Sequence, residues 1–218
     1  MKESTQKEKV LKKVRDALVN AMDAPFGEVD QESSVLHQAS EDSLDIDFAE
    51  AFTRVHGKFI FCAGREELIQ GLHVLYEEKQ LQHVFCGEDF FRGLLETAGL
   101  PYTDRPEDLP DCQASLTGCE VLIARSGSVV MSSRQGCGRK AFVAPPLHIV
   151  VASSRQLVRD IGDALAFIDE KHEGERPSMI SLVTGPSRTA DIEKKLVLGA
   201  HGPGELYLFL VDTHSRGA

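Results

Sequence analysis

Residues 58–95 read KFIFCAGREELIQGLHVLYEEKQLQHVFCGEDFFRGLL, and this stretch decides the fold class. It opens on an apolar run, Lys58-Phe59-Ile60-Phe61-Cys62, too short for a helix and rich in aromatic and branched residues. Leu68, Ile69, Leu72, Leu75 and Tyr76 then recur at helical spacing, a second run (His83-Val84-Phe85-Cys86) follows, and Phe90, Phe91, Leu94 and Leu95 mark another helix. Short apolar runs alternating with amphipathic helices predict an α/β protein with a mostly parallel sheet covered on both faces, a three-layer arrangement. A short helix over 48–55 leads into this unit.

Working outward, residues 99–118 hold three prolines and read as a loop. Apolar runs follow at 119–124, 129–131, 141–144 and 148–151, joined by links too short for crossover helices. An antiparallel hairpin closed by Gln135-Gly136-Cys137-Gly138-Arg139 is therefore expected in this middle part. The αβ pattern resumes with a helix through Leu157, Val158, Ile161, Ala164, Leu165 and Ile168, a strand at 180–183, a helix start at Thr189 and a last strand at 206–211.

Residues 1–22 place Val10, Leu11, Val14, Ala17, Leu18, Ala21 and Met22 on one face of an N-terminal amphipathic helix that a Thr5-x-x-Glu8 capping box would start. Residues 23–47 carry eight Asp or Glu and no Lys or Arg, which reads as an acidic connection to a body over 48–218. The whole chain has 218 residues, 24 Lys plus Arg against 34 Asp plus Glu and a formal charge of -10, the wrong sign for neutralising many phosphates, so nucleic acid is not an expected partner. No apolar run approaches the ~20 residues of a membrane span, and the first residues lack the apolar stretch of a signal peptide. A soluble, cytoplasmic protein is expected. The five cysteines (Cys62, Cys86, Cys112, Cys119, Cys137) are nowhere closer than seven positions, which is not metal- or cluster-binding spacing; no metal and no cofactor is expected in this chain. Cys62 and Cys119 read as small buried apolar side chains.

The strongest local signal for chemistry is Gly185-Pro186-Ser187-Arg188-Thr189-Ala190-Asp191-Ile192-Glu193, read as following a strand and opening a helix. Free N–H groups there, with Ser187, Arg188 and Thr189, suit a phosphate or carboxylate; ordinary capping by Thr189 is the plainer alternative. It is not a P-loop, since no Gly-Lys-Ser or Gly-Lys-Thr is present. His201, in the glycine-rich turn Leu198 to Gly204, would sit at the amino end of the last strand, away from the usual ligand end. Arg125, Ser126 and Gly127 form a kink between two strands, where Arg125 either meets an anion or faces solvent; no G-x-S-x-G elbow surrounds Ser126. Cys137, between two glycines with Arg134, Arg139 and Lys140 near it in sequence, is the one thiol with cations at hand to support a thiolate; an exposed hairpin tip without function is the plainer alternative. His148 reads as an edge residue at the entry to its strand. No catalytic residue is assigned.

Leu116-Thr117-Gly118-Cys119-Glu120, the Ser126-Gly127-Ser128 kink, Pro145-Pro146-Leu147-His148-Ile149-Val150-Val151 and the run from Thr184 through Gly202-Pro203 together resemble, in order and spacing, the lactate-utilisation protein C family, or LUD domain. The resemblance covers roughly residues 48–212. It implies a fold similar to glucosamine-6-phosphate deaminase, ribose-5-phosphate isomerase and the coenzyme A transferases. It further implies a role in oxidising lactate to pyruvate, as a non-redox subunit beside companion proteins that carry the iron–sulfur clusters. In that family the kink reads Glu-Thr-Gly-Thr, and an acidic residue in a comparable place serves coenzyme A transferases as nucleophile. Here Arg125 stands there, and a cation forms no acyl anhydride. The expected ligand is a small anion held by Gly185, Ser187, Arg188 and Thr189 with Arg125, Ser126, Gly127 and His201; the alternative is a free-standing enzyme or sensor that binds a sugar phosphate, nucleotide or coenzyme A thioester.

Overall fold

The computed structural model describes residues 43–192, 195–198 and 202–213, with the backbone alone over 189–192 and 195–198. The expected N-terminal helix and nearly all of the acidic connection lie outside the described residues. The first described helix, α1 (Leu44–Arg54), starts four residues before the expected Phe48, with Asp45 and Asp47 in its first turn and Arg54 in its last, charges that complement the helix dipole.

Five strands form a wholly parallel sheet in the order β1 (Lys58–Cys62), β11 (Glu205–Val211), β6 (Leu147–Ser153), β3 (Ala114–Thr117), β2 (Val84–Phe85). Helices α2 (Arg65–Lys79) and α3 (Asp89–Ala98) follow β1 and β2. Each ends on a residue in the left-handed region, Gln80 and Gly99, which lets the chain turn back toward the next strand. A second, four-stranded sheet has the order β7 (Leu157–Val158), β4 (Val121–Ile123), β5 (Ser128–Ser132), β8 (Ile180–Val183). Its β4–β5 and β5–β8 pairs are antiparallel and its β4–β7 pair parallel. Helix α4 (Ile161–Lys171) packs Ala164 and Ile168 against Val121, Ile123 and Val130 of that sheet. A separate hairpin pairs β9 (Arg188–Ile192) with β10 (Lys195–Leu198).

The layers follow from alternation along β6 and β11. Ile149, Val151 and Phe209 face α2 and α3, among Leu72, Leu75 and Leu95. Val150, Ala152, Leu206, Leu208 and Leu210 face the other way, onto Phe48 and Phe52 of α1 and Leu122, Val129 and Met131 of the second sheet. The expected α/β class and mostly parallel sheet are thus found.

Five local expectations are corrected. The loop over 99–118 contains β3, whose Ser115 and Thr117 break the apolar signature of a strand. Residues 141–144 are turn, not strand, and the antiparallel hairpin is β4–β5, closed by Ala124–Ser126 and Gly127 rather than by 135–139. The helix drawn through Leu157 and Val158 begins only at Ile161, those two residues forming β7. The helix start at Thr189 is a strand, so no helix N-terminus exists there. All five cysteines are buried and free, as read for Cys62 and Cys119. Among the described residues no helix is long and apolar enough to cross a membrane.

Two glycines let the elements close up. Gly127 turns β4 into β5 at φ 59°, and a Cβ there would lie 2.3 Å from the Phe52 nitrogen of α1. Gly138, at φ 74°, has nothing within 4 Å of its absent Cβ. Gly127→Ala is expected to cost at least about 2 kcal/mol in urea unfolding and Gly138→Ala only about 1 kcal/mol, the left-handed penalty alone. Equal losses at the two positions would mean that the contact with α1 carries no weight.

Candidate functional site

In a parallel sheet the two ends differ, and the segments read from sequence gather at the amino end. Ser126 Oγ lies 2.7 Å from Ser128 Oγ, which lies 2.8 Å from Thr184 Oγ1, so the β4–β5 turn and the loop after β8 are joined by three hydroxyls. Gly185, at φ 81°, approaches α1 so closely that a Cβ would sit 2.2 Å from the Val55 carbonyl oxygen. Arg188 donates to that same oxygen at 2.6 Å, and the Ser187 N–H donates to the Pro203 carbonyl at 2.8 Å. Arg125 points elsewhere: its guanidinium meets Asp160, the cap of α4, at 2.7 Å. The structure therefore sets Gly127, Gly185 and Arg188 against the end of α1, with Ser126 joined to Thr184 through Ser128 and the Ser187 N–H bound to the Pro203 carbonyl. Arg125 is apart from them. The side chain of Thr189 and all of His201 lie outside the described residues.

Cys137 is also corrected. It is buried, and burial first, then the neighbouring Glu88, pushes its thiol pKa up; the thiol hydrogen goes to the Glu88 carboxylate. The nearby cations have other partners, Arg134 on Glu175 at 3.1 Å and Arg139 on Ser178 at 2.7 Å. Another buried carboxylate, Glu120, accepts from Ser132 and from Lys171 at 2.6 Å. Burial pushes its pKa up, yet these bonds outweigh that and hold it below the ordinary carboxylate range.

His148 is no edge residue. It is 0% exposed in the middle of the five-stranded sheet, between Leu206 of β11 and Ser115 of β3. Its Nε2 is 2.8 Å from Thr117 Oγ1 and its Nδ1 has no partner. Burial lowers its pKa from 6.5 to about 3.

The carboxyl end carries a cleft of about 810 Å³ over the ends of β1, β6 and β11. Ligands in open α/β sheets bind at this end. One wall is apolar: Leu68, Leu94, Val151, Val211 and the edge-to-face pair Phe90 and Phe91, with Phe90 78% exposed. The other is polar and comes from the segments that follow the three strands. After β1, Ala63, Gly64 and Arg65 lead into α2, with the Ala63 N–H held by Glu67 Oε2 at 2.7 Å. Gly64 has open space where a Cβ would be. After β6, Ser153 shares a 2.7 Å hydrogen bond with Thr213 Oγ1 beyond β11, and Arg155 reaches the Thr213 carbonyl at 3.4 Å. Gln156 closes the floor, accepting from the Ser153 N–H at 2.8 Å and donating to the Cys119 carbonyl at 2.7 Å. Arg65 and Arg155 are exposed at the rim. Such a cleft can take an anionic group beside the arginines and an apolar or planar group against the phenylalanines. Sequence reading missed it, although the strand–Gly64–helix junction in the opening stretch was a usable signal. Among the described residues no group of three or more His, Cys, Asp or Glu is placed to hold a metal ion.

This architecture, a parallel sheet backed by a second, mixed sheet with a cleft over the strand carboxyl ends, defines an α/β fold class. A solved DUF162 family protein from Deinococcus radiodurans shares the fold, with TM-score 0.59 and 19% identity over 77% of this chain and 96% of that one. Residues 47–211 match the LUD domain model, and the chain belongs to that family. Curated relatives include a lactate utilization protein C from Geobacillus sp. (strain WCH70), 39% identical over 44% of this chain and 42% of that protein. Another, from Anoxybacillus flavithermus, is 33% identical over 50% of this chain and 49% of that protein. The chain thus spans less than half the length of these relatives.

The depressed His148 pKa has a sign. The unfolded chain binds a proton on this ring below about pH 6.5, whereas the folded chain stays neutral down to about pH 3, so stability is lost as the pH is lowered through that window. His148→Gln is expected to flatten the fall by up to about 1.4 kcal/mol per pH unit relative to the natural chain in urea titrations from pH 7 to 4. Parallel curves for the two proteins would place the ring in contact with water.

Proposed function

We propose that the chain serves lactate utilisation as a non-redox component that works beside iron–sulfur companion proteins and holds a small anionic ligand in the cleft over β1, β6 and β11. The observation that carries the lactate role is the set of curated relatives named lactate utilization protein C, at 33% to 41% identity. The non-redox reading rests on five cysteines that are nowhere closer than seven positions in sequence, which is not cluster-binding spacing. Arg65 and Arg155 at the rim support the anionic ligand, and the position of the cleft over the carboxyl ends of the strands favours it over the turn at Gly185 to Arg188.

One observation favours a second reading. A cleft of about 810 Å³ is drug-sized and larger than a three-carbon acid needs, so a nucleotide, sugar phosphate or coenzyme A thioester fits it better than lactate does. In either case the arginines take the anionic group.

The test is growth of a deletion strain of the source organism. It is expected to stop growing on lactate while growing normally on pyruvate, and the natural gene is expected to restore growth. A gene carrying Arg65→Ala and Arg155→Ala together is expected to express a folded protein that does not restore it. Normal growth of the deletion strain on lactate would overturn the lactate role, and full rescue by the double variant would overturn the cleft assignment.

A further inference from the structure

Phe90 is the most exposed large apolar side chain among the described residues, at 78%, yet it stands on the wall of the cleft over β1, β6 and β11, where Leu68, Leu94 and Val151 beside it are buried. Its ring partner is Phe91, edge-to-face, with centroids 5.2 Å apart and planes at 78°. Such a pair covers at most one face of either ring, so a face of Phe90 stays open. An open ring continuous with an apolar wall marks a surface that a ligand covers.

The polar wall carries the charge. Arg65 follows β1 and Arg155 follows β6, so guanidiniums from two separate segments line one cleft, against one carboxylate, Asp212, among the described lining residues. Asp212 accepts from the Ser154 hydroxyl at 3.3 Å, whereas Arg65 has no hydrogen-bond or ion-pair partner among the described residues. The two oxygens of a carboxylate suit one guanidinium fork; the three of a phosphate accept from two. A three-carbon acid has no surface to offer the open ring, and a sugar phosphate would strip water from its hydroxyls against the apolar wall. A purine base has flat faces that stack on phenylalanine and polar edges that stay in solvent.

Resting on the anion site assigned above, we propose that the cleft takes a purine nucleoside phosphate, with the base stacked on the open face of Phe90 and the phosphate held between Arg65 and Arg155. Phe90 is then the residue that separates this class from sugar phosphates and small acids. A free nucleotide and coenzyme A both carry the group, and a cleft of about 810 Å³ is within the range that encloses ligands of this size.

The test is isothermal titration of the full chain with adenosine 5′-monophosphate, ribose 5-phosphate and coenzyme A. The nucleotide is expected to bind about ten-fold more tightly than ribose 5-phosphate, a factor that one stacked base supplies. Phe90→Ala is expected to erase that difference without changing ribose 5-phosphate binding, and Phe90→Tyr, which keeps a ring, to preserve it. Because the side chain is exposed, both variants are expected to unfold at the same temperature as the natural chain. Tighter binding of coenzyme A than of the nucleotide would identify the coenzyme as the source of the group, and the reverse order the free nucleotide. Equal affinities for the nucleotide and ribose 5-phosphate, both lost in the chain carrying Arg65→Ala and Arg155→Ala, would overturn the stacked base and leave the anion site standing. Nucleotide affinity unchanged by Phe90→Ala would overturn it as well, and failure of all three compounds to bind would overturn the base and the anion site together.

Discussion

Everything in the described fold leans on the parallel ladder between β6 and β11, seven residue pairs from Leu147–Glu205 to Ser153–Val211. Both strands are covered on both faces, and their alternating side chains feed two cores at once, one under α2 and α3 and the other against α1 and the second sheet. Because β1, β6 and β11 run the same way, their carboxyl ends release three segments on one side of the sheet, and their amino ends are met by the loops from the second sheet on the other. The two ends were built differently as a result. At the carboxyl end the backbone turns away into helices and loops and leaves a cleft. At the amino end Gly127, Gly185 and Arg188 are drawn against α1 and hold the second sheet in place.

That division explains why the glycine and arginine motifs look like ligand-binding signals and behave as clamps. A turn that lets the chain pass within van der Waals reach of a helix end uses the same residue types as a turn that cradles an anion: glycine for the backbone, a hydroxyl and a guanidinium for donors. Which of the two it is depends on what stands opposite. Here that is the Val55 carbonyl at the end of α1, which already takes the arginine.

The sequence disclosed those parts of the fold where one segment suffices. β1, β2, β6, β8 and β11 appear as apolar runs, and α2 and α3 through their helical spacing. β3 was hidden because Ser115 and Thr117 alternate with Ala114 and Leu116 in a proline-rich stretch, and its polar face makes sense only beside His148. β9 was read as a helix because Thr189, Asp191 and Glu193 are typical of a helix start, although it pairs locally with β10 as one arm of a hairpin. The cleft was illegible because it is assembled from distant segments. Gly64, Arg65, Arg155 and Thr213 come from three segments up to 149 positions apart, and only the sheet order brings them together.

The most direct test of the account is recovery of the chain at native expression from its source organism growing on lactate, after mild cross-linking, with mass spectrometry of what accompanies it. A cysteine-rich iron–sulfur protein in stoichiometric amount is the expected result, since a non-redox LUD protein serving lactate oxidation needs an electron-carrying companion. Recovery of the chain alone, from cells that are oxidising lactate, would contradict it.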